Sequence, residues 1–204
     1  MVRKTKAEAE QTRQQIIDAA RKVFLELGVG RASLERVAQV AGVTRGAVYW
    51  HFENKAALFY AMREESAHVF DELEQDLVSD RLANPLDAVE ESLLGFFKVL
   101  ETHPKVREVF EIMALRCEYV DEFAPILYEV NKPCIDFLAR LCKVYGWAAE
   151  RGYLRAGLDP EAMAYDTLSF ATGLFNNWMI DDEADDVRRR AHAMIRSHVA
   201  LRRA

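Results

Sequence analysis

A glycine set between two short apolar patterns, each headed by a hydroxyl side chain, does most to limit what this chain can become. Ser33 stands where it can cap a helix that turns Leu34, Val37, Ala38 and Ala41 to one side. Ala41-Gly42-Val43 then makes a tight turn, and Thr44 can cap a second helix in which Val48 and Phe52 lie one turn apart and point inward. Two capped helices around a glycine turn make a helix-turn-helix. Asn54 follows as a cap for the next helix.

The outward side of the second helix is built from groups that suit DNA. Arg45 sits in its first turn, Gly46 lets another backbone approach, and Tyr49, Trp50, His51 and, just beyond, Lys55 add aromatic rings and cations. These groups match phosphates and base edges in a major groove. Taken alone, a Tyr-Trp-His cluster on a short helix is more often packing than recognition; the helix-turn-helix around it shifts the weight to recognition.

Bulk properties are those of an ordinary globular protein. Of 204 residues, 50% are hydrophobic and 29% charged, which suffices for a sizeable core in one or two domains. No uncharged run approaches the roughly 18 residues of a membrane span, and the basic N-terminus leads into an amphipathic pattern, so a cytoplasmic location with no membrane partner is expected. The net charge of −6 hides an asymmetry: residues 1–55 hold 10 Lys and Arg against 6 Asp and Glu, the other 149 residues 17 against 27. A basic head on an acidic body can lay its positive end on a polyanion, although exposed charge is usually a solvated face. Cys117, Cys134 and Cys142 are odd in number and lack C-x-x-C spacing, so they read as reduced core thiols, with redox sensing the lesser alternative.

Along the chain the helical period recurs. Arg3, Lys4 and Lys6 form a basic arm that can add phosphate contacts or simply fray. Thr5 and Glu8 have capping-box spacing, and Ile16, Ala20, Val23, Phe24 and Leu27 make a stripe that stops at Gly28. From Lys55 an unbroken helical pattern, with Leu58, Met62, Val69, Leu73 and Leu77 inward, predicts a rod to about Ser79. Asn84-Pro85 and His103-Pro104 open helices to about Leu100 and about Glu118. A helix from near Asp121 meets Pro133, which should kink or split it. Gly146–Asp159 reads as a loop, Asp159-Pro160 opens a helix to about Ile180, Asp181-Asp182-Glu183 punctuates, and a last helix follows. No alternating β-branched run appears. The expectation is an all-α fold of roughly nine helices.

Catalytic signatures are missing. There is no G-x-S-x-G, Walker loop or H-E-x-x-H, the five histidines are scattered, and His192 and His198 are six apart. The expectation is a non-enzyme without metal or cofactor. A helical interaction protein without sequence-specific DNA binding is the rival class, separable by the salt dependence of duplex binding.

The run from about Gly28 to Leu58, with GVTRGAVYWHFENKAALF at its heart, resembles the DNA-binding domain of the TetR family of repressors. With RKTKAEAEQTRQQIIDAA before it and RCEYVDEF and GLFNNWMI after it, the chain is most similar to AcrR-type regulators of multidrug efflux. The resemblance implies a three-helix DNA-binding domain at residues 1–55 and a helical ligand-binding and dimerisation domain at 56–204. It implies that Arg45, Gly46, Ala47 and Trp50 face base edges, while Tyr49, His51 and Lys55 hold phosphates; Thr44 caps the helix and can touch phosphate too.

The body beyond residue 56 is rich in aromatic and soft side chains, most of them ordinary core, although Met and aromatic residues can line an adaptable pocket. The resemblance implies such a pocket for hydrophobic or aromatic inducers, with Phe97, Phe110, Met113, Cys117 and Phe137 as candidate linings. The last two helices carry Phe175, Trp178, Met179, Val187, Ala191, Met194, Ile195 and His198, an apolar set that needs a cover. Intrachain packing could supply it; the resemblance implies a four-helix interface in a homodimer, as a palindromic operator requires. The expected role is a ligand-released repressor of an efflux operon, with an activator left open.

Overall fold

In the computed structural model, residues 6–70, 75–79, 82–180 and 186–204 are described. Their helices with described bounds are α1 (Lys6–Leu27), α2 (Leu34–Ala41), α3 (Arg45–His51), α4 (Lys55–Ala67), α5 (Pro85–Thr102), α6 (Pro104–Leu115), α7 (Ile126–Glu150), α8 (Pro160–Ile180) and α9 (Asp186–Ala200), and residues 75–77 are helical as well. Single 3-10 turns occupy His68–Phe70 and Asp121–Phe123. Among the described residues there is no strand, only an isolated antiparallel bridge between Leu154 and Arg203. The Thr5 half of the capping box, Arg3 and Lys4 of the arm, Leu73 of the rod and Asp181-Asp182-Glu183 lie outside the described residues.

The helix starts follow local chemistry. Ser33, Thr44 and Asn54 each accept a backbone N–H three residues on, from Arg36, Ala47 and Ala57. Asn84 accepts from Leu86 ahead of Pro85, and Asp159 accepts from Ala162 ahead of Pro160. Each such cap contributes about 1 kcal/mol. Gly28 and Gly42 sit at φ 77° and 68°, the left-handed conformation that ends α1 and α2 without a Cβ penalty.

The chain forms two compact units, one of Met1–His68 with Pro104–Val130 and one of Val69–His103 with Asn131–Ala204. The expected boundary at residue 55 therefore falls inside the first unit. The reason is α4, whose Leu58, Phe59 and Met62 are buried in the same core as Ile16, Phe24, Val37 and Val48. Within this unit α1 packs on α2, α3, α4 and α6. Arg21, almost fully buried, ties α1 to α6 by donating to Asp18 and Glu108, both at 2.8 Å.

In the second unit α9 packs on α5 and α8. Phe97 lies 6.1 Å from the Trp178 ring, and the chain end is tied down by Arg203, which donates to Asp87 at 2.6 Å and Glu90 at 3.0 Å. A buried polar line joins three helices: Tyr145 and Thr167 hydroxyls are 2.7 Å apart, and the Thr167 hydroxyl is 3.1 Å from His198 Nε2. The imidazole stacks on Phe170 at 3.9 Å.

Four expectations are corrected. The rod is not unbroken: α4 ends at Ala67 and tightens into a 3-10 turn, where His68, Val69 and Phe70 are weaker helix formers and Phe70 turns to Phe96 at 5.3 Å. Pro133 does not split its helix; α7 begins at Ile126, after a 3-10 turn at Asp121, and runs through the proline to Glu150. Gly146 is helical rather than the start of a loop, because fully buried Val144, Tyr145 and Ala148 carry α7 past it. The end of α6 also comes early, at Leu115, and the freed Arg116 carbonyl accepts from Val29 N at 2.8 Å.

Candidate nucleic-acid interface

The turn between α2 and α3 is fixed by backbone bonds from Gly42 N to the Gln39 carbonyl at 3.2 Å and from Val43 N to the Ala38 carbonyl at 3.0 Å. It delivers Thr44, whose hydroxyl accepts from Ala47 N at 3.2 Å and so fixes where the first turn of α3 begins. Val48 and Phe52 plug into the core of the unit. That anchoring leaves the opposite face of α3 in solvent: Trp50 is 73% exposed, and Arg45, Gly46 and Tyr49 are exposed beside it. Ala47 and His51 are half-buried, the imidazole edge-on to Trp50 at 4.4 Å. A Cβ added to Gly46 would meet only Thr44 Oγ1, at 3.9 Å, so nothing inside the chain demands glycine there. The open surface does, if another molecule's backbone is to approach.

Arg45 is arranged rather than loose. Its guanidinium lies 5.2 Å over the Tyr49 ring, its Nη2 donates to the Tyr49 hydroxyl at 3.5 Å, and its Nε is 3.0 Å from Glu35 Oε1 on α2. Tyr49 first, and Glu35 after it, raise its pKa above the ordinary arginine value. Glu35 was not legible as a site residue. In the sequence it is only a first-turn acid of α2, and its reach to α3 depends on how the two helices cross.

Lys55 occupies a different setting. Its Nζ donates to the Gly30 carbonyl at 3.1 Å and the Ala32 carbonyl at 3.2 Å, and lies 5.6 Å over the Phe123 ring. It therefore clamps the loop after α1 to the start of α4.

The candidate pocket residues fall on both units. Phe110, Met113 and Cys117 belong to the first, where Met113 and Cys117 pack against the core that anchors α3. Phe97, fully buried, and Phe137, half-buried, belong to the second. All three cysteines are free thiols. Burial pushes the Cys117 thiol up to about 11, so it stays protonated at neutral pH and lacks the thiolate that oxidation chemistry uses.

The candidate dimer residues are mostly covered by their own chain. Trp178, Met179, Ala191, Ile195 and His198 are buried, and Phe175 and Val187 half-buried, because their shared stripe faces the interior formed by α5, α8 and α9. Of the set only Met194 is exposed, at 40%; Tyr165, Ile180 and Leu201 are exposed apolar neighbours on the same two helices and just after them. Among the described residues no group of His, Cys, Asp and Glu could hold a metal ion, and no helix is long and apolar enough to cross a membrane.

Comparison with known proteins matches these features. Residues 16–62 fit the model of bacterial regulatory proteins of the tetR family, and residues 84–203 fit the C-terminal region of MAATS-type transcriptional repressors. The chain is 35% identical to the HTH-type transcriptional regulator TtgR of Pseudomonas putida over 92% of its own length and 89% of that protein's. Its fold is similar to that of NalD, the secondary repressor of the MexAB-OprM multidrug efflux pump in Pseudomonas aeruginosa, with a TM-score of 0.83, 33% identity, and coverage of 96% of this chain and 97% of that one. It is also similar to SmeT, the repressor of the Stenotrophomonas maltophilia multidrug efflux pump SmeDEF, in its complex with triclosan, with a TM-score of 0.79, 30% identity and coverage of 95% and 92%.

Proposed function

The chain belongs to the tetR family of bacterial regulatory proteins, and we propose that it is a dimeric transcriptional repressor of a multidrug efflux operon, released from its operator by hydrophobic or aromatic small molecules. The observation that carries this reading is the division of α3 into two faces. Val48 and Phe52 fix the helix to its unit, and Arg45, Gly46, Tyr49 and Trp50 are exposed on the other side. A helix held so rigidly, with its first turn capped by Thr44, suits insertion into a major groove. Arg45, Gly46, Ala47 and Trp50 read base edges in this proposal, and Thr44, Tyr49, His51 and Lys55 meet phosphate.

Two copies are needed because one seven-residue helix reads too little sequence, and two-fold symmetry matches a palindromic site. The efflux role is supported by NalD and SmeT, both repressors of multidrug efflux pumps. The inducer class is supported by the triclosan held by SmeT. Candidate inducer contacts are Phe97, Phe110, Met113, Cys117 and Phe137.

The test is footprinting of the purified protein on DNA around its own gene, followed by fluorescence anisotropy of the protected duplex while triclosan and other hydrophobic or aromatic small molecules are added. A protected palindrome is expected, with a coupling that lowers affinity by roughly 5- to 150-fold at saturation. Protection that no ligand relieves would leave a repressor without this sensing role.

A further inference from the structure

We propose that Glu35, on α2, is a specificity-determining residue that positions Arg45 for base reading and discourages its use on phosphate; the inference rests on the DNA-binding reading above. The geometry assigns the edges of one guanidinium. Glu35 Oε1 takes the Nε edge at 3.0 Å, and the Tyr49 ring covers one face at 5.2 Å. Nη2 makes one long bond, to the Tyr49 hydroxyl at 3.5 Å, and keeps a second N–H; together with Nη1 it forms the end-on fork that matches the O6 and N7 acceptors of guanine. An arginine on a flexible stem would otherwise sample many directions and must be ordered on binding, so holding it in advance reduces that cost at the cognate site.

The carboxylate itself is well placed to stay ionised and in position. It lies in the first turn of α2, where the helix N-terminus favours negative charge, and the Ser33 cap fixes that turn. On random DNA the same carboxylate acts the other way. A charge of −1 beside Arg45 offsets its attraction for phosphate, which is the sequence-independent part of binding. Glu35 therefore lowers affinity for any duplex and raises it selectively where a guanine accepts the fork.

The two effects separate by substitution. Glu35→Gln removes the charge and the ion pair; Glu35→Asp keeps the charge and the first-turn preference but shortens the reach to Arg45. The probes are a duplex enriched from a random-sequence library by the wild-type protein and a scrambled duplex of the same composition, each measured by anisotropy over a range of KCl. With one Arg45 per half-site in a dimer, Glu35→Gln should lower the ratio of selected to scrambled affinity by about 3- to 30-fold while binding the scrambled duplex more tightly. Glu35→Asp should lower the ratio with scrambled binding unchanged. In an Arg45→Ala background neither substitution should alter the ratio. Unchanged melting temperatures exclude a folding effect. A wild-type ratio in both Glu35 variants overturns the proposal and leaves DNA recognition standing; a wild-type protein that enriches no sequence overturns both.

Discussion

The Arg63 guanidinium donates from Nη2 to the Glu129 carbonyl at 2.6 Å, and that carbonyl is the one Pro133 leaves without its helical partner. In an α-helix the carbonyl of residue 129 accepts from the amide of residue 133, and proline has none. Arg63, on α4 and almost buried, supplies the missing donor from 66 residues away in sequence. The proline is thus tolerated inside a 25-residue helix because a second helix satisfies the acceptor it orphans.

Arg63→Met should consequently cost about 1–3 kcal/mol in urea unfolding, since a partly buried acceptor loses a charged donor. Pro133→Ala restores an amide at the right place in the helix. In that background Arg63→Met should cost at least about 1 kcal/mol less, and the difference is the coupling measured by a double-mutant cycle. Additive losses would mean that Arg63 stabilises only through Glu64 and the Tyr60 ring, which it also meets.

Arg45 and Lys55 should fail in different ways. Arg45→Ala removes a side chain that touches only surface partners, so folding should be unchanged and affinity should fall by about 1–3 kcal/mol at particular operator positions. Lys55→Ala removes two bonds to the Gly30 and Ala32 carbonyls as well as a charge near the proposed DNA face. It should lower unfolding stability by about 1–2 kcal/mol and weaken all sequences alike, flattening the salt slope by about one unit. Arg45→Ala that weakens operator and scrambled duplex equally would take Arg45 out of base reading.

What was legible in the sequence is what depends on near neighbours. Ser33, Thr44, Asn54, Asn84 and Asp159 cap the helices they head, and Gly42 makes the turn, because a cap and a left-handed residue act over three or four positions. The division of α3 into Val48 and Phe52 against Tyr49 and Trp50 follows from helical period alone. The rest depended on which helix lies against which. An apolar stripe such as Trp178, Ala191 and Ile195 shows that a cover exists, and only packing shows that α5 and its neighbours provide it. Glu35 beside Arg45, Lys55 on the Gly30 loop and Arg63 on the Glu129 carbonyl are each pairings across helices that no local rule anticipates.

His198 predicts how stability responds to acid. Burial first, and Arg202 second, push its imidazole down to about 4 from an ordinary 6.5. The folded chain therefore refuses a proton that the unfolded chain accepts, so stability is full above pH 6.5 and is lost as pH falls towards 4. The loss attributable to this group is about 3 kcal/mol at most. His198→Phe keeps an aromatic ring for the Phe170 stack and leaves the Thr167 hydroxyl with Tyr145. Its denaturation midpoint should be flatter than wild type between pH 6.5 and 4; parallel curves would remove His198 as the cause.

Trp178 and Met194 should distinguish folding from assembly, although both lie on the last two helices. Trp178 is 1% exposed, with its ring against Phe97 and under the Arg188 guanidinium at 4.5 Å, so Trp178→Asp buries a carboxylate in a core that the single chain already completes. It should cost more than about 4 kcal/mol and reduce the yield of folded protein rather than yield a clean monomer. Met194 is 40% exposed, so Met194→Asp should leave the melting temperature of the isolated subunit nearly unchanged. If the exposed side of α8 and α9 pairs with a second copy, the same substitution places a desolvated charge in that interface and dissociates it. Operator affinity should then collapse, because a single half-site binds weakly. Sedimentation velocity at micromolar concentration reads the outcome: wild type sedimenting as a dimer and Met194→Asp as a folded monomer is expected, and a variant that stays dimeric places the subunit contact elsewhere.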